Sequence, residues 1–263
     1  MRLLLVIMLF LTLSAPALAG DGVLEINQAC ATQAGCFPGD VSGFPVTITQ
    51  SGSYRLTGNL TPPLNATAID ITANAVVVDL GGFAITGPNA CTGAPINNCT
   101  VNFGNSGIHA NYLGQFAITI RDGSIIGMGG DAINTARLDF TSSATVVEDV
   151  FATANGGNSA IQVGTLSRVS RCRVNQNRSQ GILVGAFSLA DENILYANGG
   201  RGLVFDNPGG GEALRNQMRF NGGVGIEAAV GTITRENVIS ANVGGVGVLG
   251  SSQGNNLCND VGC

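Results

Sequence analysis

Asn198-Gly-Gly-Arg-Gly-Leu203 and Asn221-Gly-Gly-Val-Gly-Ile226 are one phrase written twice, 23 residues apart. Working outward, a small residue followed by an aliphatic recurs at Ala68-Ile69, Gly107-Ile108, Ala132-Ile133, Ala160-Ile161, Gly181-Ile182, Gly202-Leu203, Gly225-Ile226 and Gly247-Val248. The aliphatics lie 39, 25, 28, 21, 21, 23 and 22 residues apart, the longest step containing residues 91–99 with a cysteine at each end. A second row runs Asn155, Asn177, Asn198, Asn221 and Asn242, each Asn five or six residues ahead of the next aliphatic. Self-similarity at a fixed short period is the mark of a stacked repeat.

The residues between the landmarks choose the kind of repeat. They are short runs of Val, Ile and Thr broken by Asn and Gly every few positions, with no apolar stripe at helical spacing. A period near 22 fits one coil of three short parallel strands. One coil cannot bury its apolar residues, whereas stacked coils share a continuous core. Asn tolerates left-handed backbone at the turns, and stacked Asn side chains can bond along the axis. Leucine-rich repeats share the period but need several Leu per coil and a helical stretch, which are missing. The expected fold is all-β: a single-stranded right-handed parallel β-helix of about eight coils with a short N-terminal cap, on the order of 40 Å long at ~4.8 Å per coil. Arg121, Glu148, Arg171, Glu192, Arg215 and Glu236 follow the same rhythm with alternating sign. They are expected as a solvated ladder of opposite charges, each neighbour pair contributing roughly 0.2–1 kcal/mol.

Composition narrows the setting. Arg2, the apolar run from Leu3 to Leu13 and Ala17-Leu18-Ala19 read as a Sec-type signal peptide over residues 1–19. Residues 20–43 then form the cap segment and 44–263 the β-helix domain, and the protein is expected to be secreted or periplasmic. No later stretch reaches the ~20 apolar residues of a membrane helix. Lysine is absent, and removing Arg2 with the leader leaves 11 arginines against 17 acids, a net charge near −6. That balance argues against nucleic acid as a partner. Seven cysteines in an exported chain permit disulfides. The local pairs are Cys30–Cys36, Cys91–Cys99 and Cys258–Cys263, which leaves Cys172 as a buried thiol at a repeat position otherwise filled by small polar residues. With one His and no CxxC pair, neither a metal nor another cofactor is expected.

Ser170-Arg-Cys-Arg-Val-Asn-Gln-Asn177 and Thr234-Arg-Glu-Asn-Val-Ile-Ser-Ala-Asn242 resemble the repeat of the pectate-lyase-like superfamily. The opening segment from Phe44 to Leu60 and the run Ala75-Val-Val-Val-Asp-Leu-Gly-Gly-Phe-Ala-Ile-Thr-Gly87 are similar to exported bacterial members of that fold. The resemblance covers roughly residues 44–262. It implies the fold and, through the fold, a polysaccharide as partner, but a fold shared by many activities does not name one. The signatures of the known activities do not occur: no Gly-His-Gly element of polygalacturonases, no Asp-Pro-His-Glu element of epimerases and no Lys base.

Two sets of residues could carry chemistry. The residue after each repeat aliphatic reads Asp70, His109, Asn134, Gln162, Leu183, Val204, Glu227 and Leu249. If this column faces outward, its N-terminal half is a polar strip in which Asp70 could orient His109 as a general base, with Asn134 and Gln162 offering amides to hydroxyl groups. The second set is Arg171 and Arg173 with their neighbours Arg168 and Arg178, where guanidinium groups could hold a uronate carboxylate. Gly127-Met-Gly-Gly-Asp131 reads as a turn. The expected function is an exported, monomeric protein that binds or modifies a polysaccharide. A non-enzymatic surface, structural or adhesion protein and a lyase or epimerase with a divergent site stay open beside it.

Overall fold

The computed structural model describes residues 22–100, 104–110, 117–136, 144–206, 210–248, 250–259 and 261–262. The expected leader lies outside the described residues. The chain winds into a right-handed parallel β-solenoid of about eight coils. Each regular coil lays one short strand on each of three faces. One face carries Gly52–Leu56, Val76–Asp79, Arg168–Ser170, Leu189–Asp191, Glu212–Leu214 and Ile233–Arg235. The second carries Arg173–Asn175, Ile194–Tyr196, Gln217–Arg219 and Val238–Ser240. The long bent strands Ile118–Ile126 and Val146–Thr153 serve both, joining the two faces into one sheet. The third face is a separate nine-stranded sheet from Val46–Ile48 to Gly247–Val248.

Why the repeat spaces its aliphatics as it does is visible in the register. Ile69, Ile108, Ile133, Ile161, Ile182, Leu203 and Ile226 stand directly over one another on the third face, and all are fully buried. A second column, Ile125, Ala152, Val174, Leu195, Met218 and Ile239, meets it from the second face. Each fully buried Ile, Leu or Val side chain contributes roughly 1.5–3 kcal/mol. The last coil differs from the expected spacing. Gly247, not Val248, pairs with Ile226, and Val248 pairs with Glu227. The apolar landmark thus slips by one residue where the stack ends, Val248 takes the register position expected for Leu249, and Leu249 itself lies outside the described residues.

The corners are built from L-residues in left-handed backbone. Ala154, Gln176, Ala197, Phe220 and Ala241 form one such row, with φ between 54° and 57°. Their N–H groups still donate to the next coil, Ala154 to the Gln176 carbonyl and Gln176 to the Tyr196 carbonyl. The conformation costs about 1–2 kcal/mol per residue, and the turn it makes aims the following side chain inward. That side chain is the landmark Asn. Asn177 donates through Nδ2 to Asn198 Oδ1 at 2.9 Å, and Asn198 does the same to Asn221 at 3.0 Å. Each Oδ1 also accepts the backbone N–H of the Asn one coil earlier. A second ladder, Asn193, Asn216, Asn237 and Asn256, stands at the next corner with the same bonds. Cys172 heads this second row, buried, its N–H donating to Asn193 Oδ1 at 3.0 Å.

The charge row needs a correction of one residue at its N-terminal end. The left-handed corner positions are Asp122, Asp149, Arg171, Glu192, Arg215 and Glu236. Arg121 and Glu148 pair with each other on the strands just before that corner. Asp122 and Asp149 carry like charges, so the expected alternation of sign holds along the corner only from Asp149 to Glu236.

Val23–Ile26, in the segment expected as a cap, stacks in parallel on Gly52–Leu56. It is followed by Gln28–Gln33, the one helix among the described residues, whose first turn is capped by Asn27. Cys30–Cys36 and Cys91–Cys99 are disulfides. Cys263, expected to pair with Cys258, lies outside the described residues. Strands 91–93 and 96–99 form an antiparallel hairpin laid along a corner of the solenoid. Asn89 Nδ2 donates to the Met128 and Ala154 carbonyls, and Ile96 N–H donates to the Ala197 carbonyl. No helix among the described residues is long and apolar enough to cross a membrane.

Candidate functional site

On the third face, strand alternation turns Asp70, His109, Asn134, Gln162, Leu183 and Glu227 outward, in direct register from coil to coil. At the N-terminal half an open groove of about 560 Å³ lies over this column. It contains Asp70, His109 and Asn134 together with Phe44, Pro45, Asn65, Asn105, Asp131 and Asn158. His109 Nδ1 stands 2.9 Å from Asp70 Oδ1, one coil apart. Both side chains are partly exposed, at 28% and 15%. A carboxylate on Nδ1 fixes the orientation of the ring. Asn134 is in register with His109 and donates to Asp131 Oδ2 at 2.8 Å. Gln162 follows Asn134 in the column but does not line the groove.

Asp131 is the residue that sequence reasoning missed. Its run of glycines marks it as a turn, yet it is a buried carboxylate on the groove wall, 7% exposed. Burial pushes its pKa up to about 6. The N–H of Ser159, the Asn134 amide, the N–H of Asn158 and the field of His109 pull the other way without cancelling that rise. Room for the carboxylate comes from Gly157 on the next coil, where a Cβ would fall 1.9 Å from Oδ1. The only signal in sequence is therefore a glycine 26 residues away, which no local motif joins to Asp131. The groove thus combines an oriented imidazole with a carboxyl group that keeps its proton to unusually high pH, a pairing suited to general acid–base catalysis. Among the described residues no cluster of His, Cys, Asp and Glu has the makings of a metal site.

The arginines stand elsewhere. Arg171 reaches back to Asp149 Oδ2 at 2.6 Å and Glu148 Oε2 at 3.1 Å. These bonds, Asp149 first, hold the guanidinium further above its ordinary range and hold Asp149 below the usual carboxylate range. Arg173 lies on the second face, 6.0 Å over the Phe151 ring. Arg168 is 3.8 Å from Asp191, which Arg215 also holds at 2.7 Å. The structure therefore joins Asp70, His109 and Asn134 in one hollow, sets Gln162 at its edge, and places Arg171 and Arg173 on a different side of the solenoid.

No protein-family model and no curated protein matches this chain. Among solved structures the chain is similar to the crystal structure of Dettilon tailspike protein (gp208), at 12% identity and a TM-score of 0.40. The match covers 82% of this chain and 45% of the other, so this chain spans less than half the length of that protein.

Proposed function

We propose that this is an exported protein that binds a polysaccharide along its third face and modifies it by general acid–base chemistry in the groove. The observation that carries the reading is the meeting of the Asp70–His109 pair with proton-retaining Asp131 in one open hollow. His109, steadied by Asp70, accepts a proton from the attacking or reacting group. Asp131 donates one to the departing oxygen. Asn65, Asn105, Asn134 and Asn158 supply amides suited to hydroxyl groups, and Phe44 and Pro45 supply an apolar edge for the carbon face of a sugar. The leader-like residues 1–19, the two disulfides and the resemblance of the repeats to the pectate-lyase-like superfamily all support an exported, glycan-directed protein.

The test is release of reducing ends or other products from a panel of purified polysaccharides by wild type, His109→Ala and Asp131→Asn. Each variant is expected to lose ~10²–10⁴-fold in turnover, with glycan binding retained and the β-rich circular dichroism unchanged. Binding without turnover in the wild type would reduce the reading to a glycan-binding protein. Absence of both would favour a non-enzymatic structural or adhesion role.

A further inference from the structure

The outward column does not stop at the groove. Beyond Gln162 it passes Leu183, Val204 and Glu227, and here a second hollow of about 270 Å³ opens on the same sheet. Half-buried Leu183 and nearly buried Val204 line it together with Gln180, Asp206 and the Arg201–Glu227 pair, and most of its exposed lining is polar. Arg201 Nε lies 2.7 Å from Glu227 Oε2, so the one guanidinium among the described lining residues of either hollow is matched by a carboxylate. The remaining charged groups of the two hollows are Asp70, Asp131 and Asp206, with His109. Five coil steps separate His109 from Glu227, on the order of 24 Å at ~4.8 Å per step.

Resting on the reading above, we infer that the ligand is an uncharged glycan several sugars long, lying along the column so that its far end occupies the Leu183–Val204 hollow. A polyuronate would bring a carboxylate on every unit to a track lined by Asp70, Asp206 and Glu227 against one guanidinium, and like charges at contact oppose binding. A neutral sugar meets no such barrier. Its carbon face packs on Leu183, and its hydroxyls reach the Gln162 and Gln180 amides. In the first hollow the same chain meets amides and the proton-exchanging groups.

Titration calorimetry with neutral cello-, xylo- and manno-oligosaccharides of graded length, and with polygalacturonate at low salt, tests this. One neutral series is expected to bind with affinity rising roughly tenfold or more once the chain is long enough to span both hollows, and polygalacturonate is expected to bind far more weakly. Leu183→Glu should bring the long-chain affinity down to the short-chain value. If that variant does not fold, the wild-type length series decides by itself. Tighter binding of polygalacturonate, or affinity independent of length, overturns the inference while leaving a glycan-directed groove intact. Failure of every glycan to bind overturns both readings.

Discussion

At Asp131 the cost of burying a charge competes with donors from Asn134, Asn158 and Ser159, and burial prevails, lifting the carboxyl to about 6. If Asp131 is the acid of the groove, turnover should fall as pH rises through about 6, because only the protonated form donates. Stability must follow the same sign. The folded chain keeps this proton up to about 6, whereas the unfolded chain releases it near the ordinary 3.8. Between those values the folded state binds more protons, so the contribution is full below the lower value, shrinks as pH rises, and is gone above the upper one. The whole effect is on the order of 3 kcal/mol. Denaturant titrations between about pH 4 and pH 7 should show that slope in wild type and its loss in Asp131→Asn; equal slopes would mean the carboxyl is not so perturbed. Residues of this kind are the least legible in sequence. Asp70 and His109 could be placed together because each follows a repeat aliphatic, so the period itself aligned them. Asp131 is defined by Gly157 making space and by backbone donors one coil away, and neither leaves a local pattern. Cys172 was legible as a buried thiol, and burial pushes it up to about 12.

Among the elements, the asparagine rows do what sheet hydrogen bonds do elsewhere, but at the corners, where the backbone turns through left-handed conformations. Each Oδ1 accepts two bonds from the coil before it, and each Nδ2 returns one to an earlier carbonyl, as Asn198 Nδ2 does to Val174. Asn198→Ala therefore strands the N–H of Asn177 in a dry interior, while its Nδ2 keeps the Ala152 and Asn175 carbonyls. An unmet buried donor costs ~1–3 kcal/mol, so a loss of that size should appear as a lower urea midpoint. A loss below about 0.5 kcal/mol, the scale of an ordinary surface change, would show that water replaces the ladder. The first of these rows was readable because one residue type recurs at one spacing. The second, Asn193, Asn216, Asn237 and Asn256 at steps of 23, 21 and 19, carries the same signal, read from the sequence only as the small polar residues at the repeat position of Cys172. The charge row shows the opposite limit: alternation of sign selects Arg121 and Glu148, whereas the backbone puts Asp122 and Asp149, two like charges, at the corner.

For the molecule as a whole, neighbours-only contact means that stability is distributed along an axis. The coils around the groove are tied by the strands Ile118–Ile126 and Val146–Thr153, of nine and eight residues, whereas the last coils rest on strands of two. Native-state hydrogen exchange should accordingly release the amides of 247–258 first and those of 118–126 and 146–153 last. Uniform protection along the chain would instead mean a single cooperative unit. The hairpin at 91–99 bears on this too, since it leaves the chain early and lands four coils later, on Ala197 and Gly199. A Cβ at Gly199 would come within 2.6 Å of the Ile96 carbonyl oxygen, a fit that its counterpart one coil earlier, Arg178, does not offer. In a periodic stack, threading the chain one turn out of phase preserves most contacts, so interchangeable coils carry little information about which coil is which. The hairpin's landing point behaves as a one-way stop: it closes on Gly199 and rejects Arg178 one coil earlier, and so bars a slip toward the N-terminus, whereas Gly222 one coil later leaves the opposite slip open.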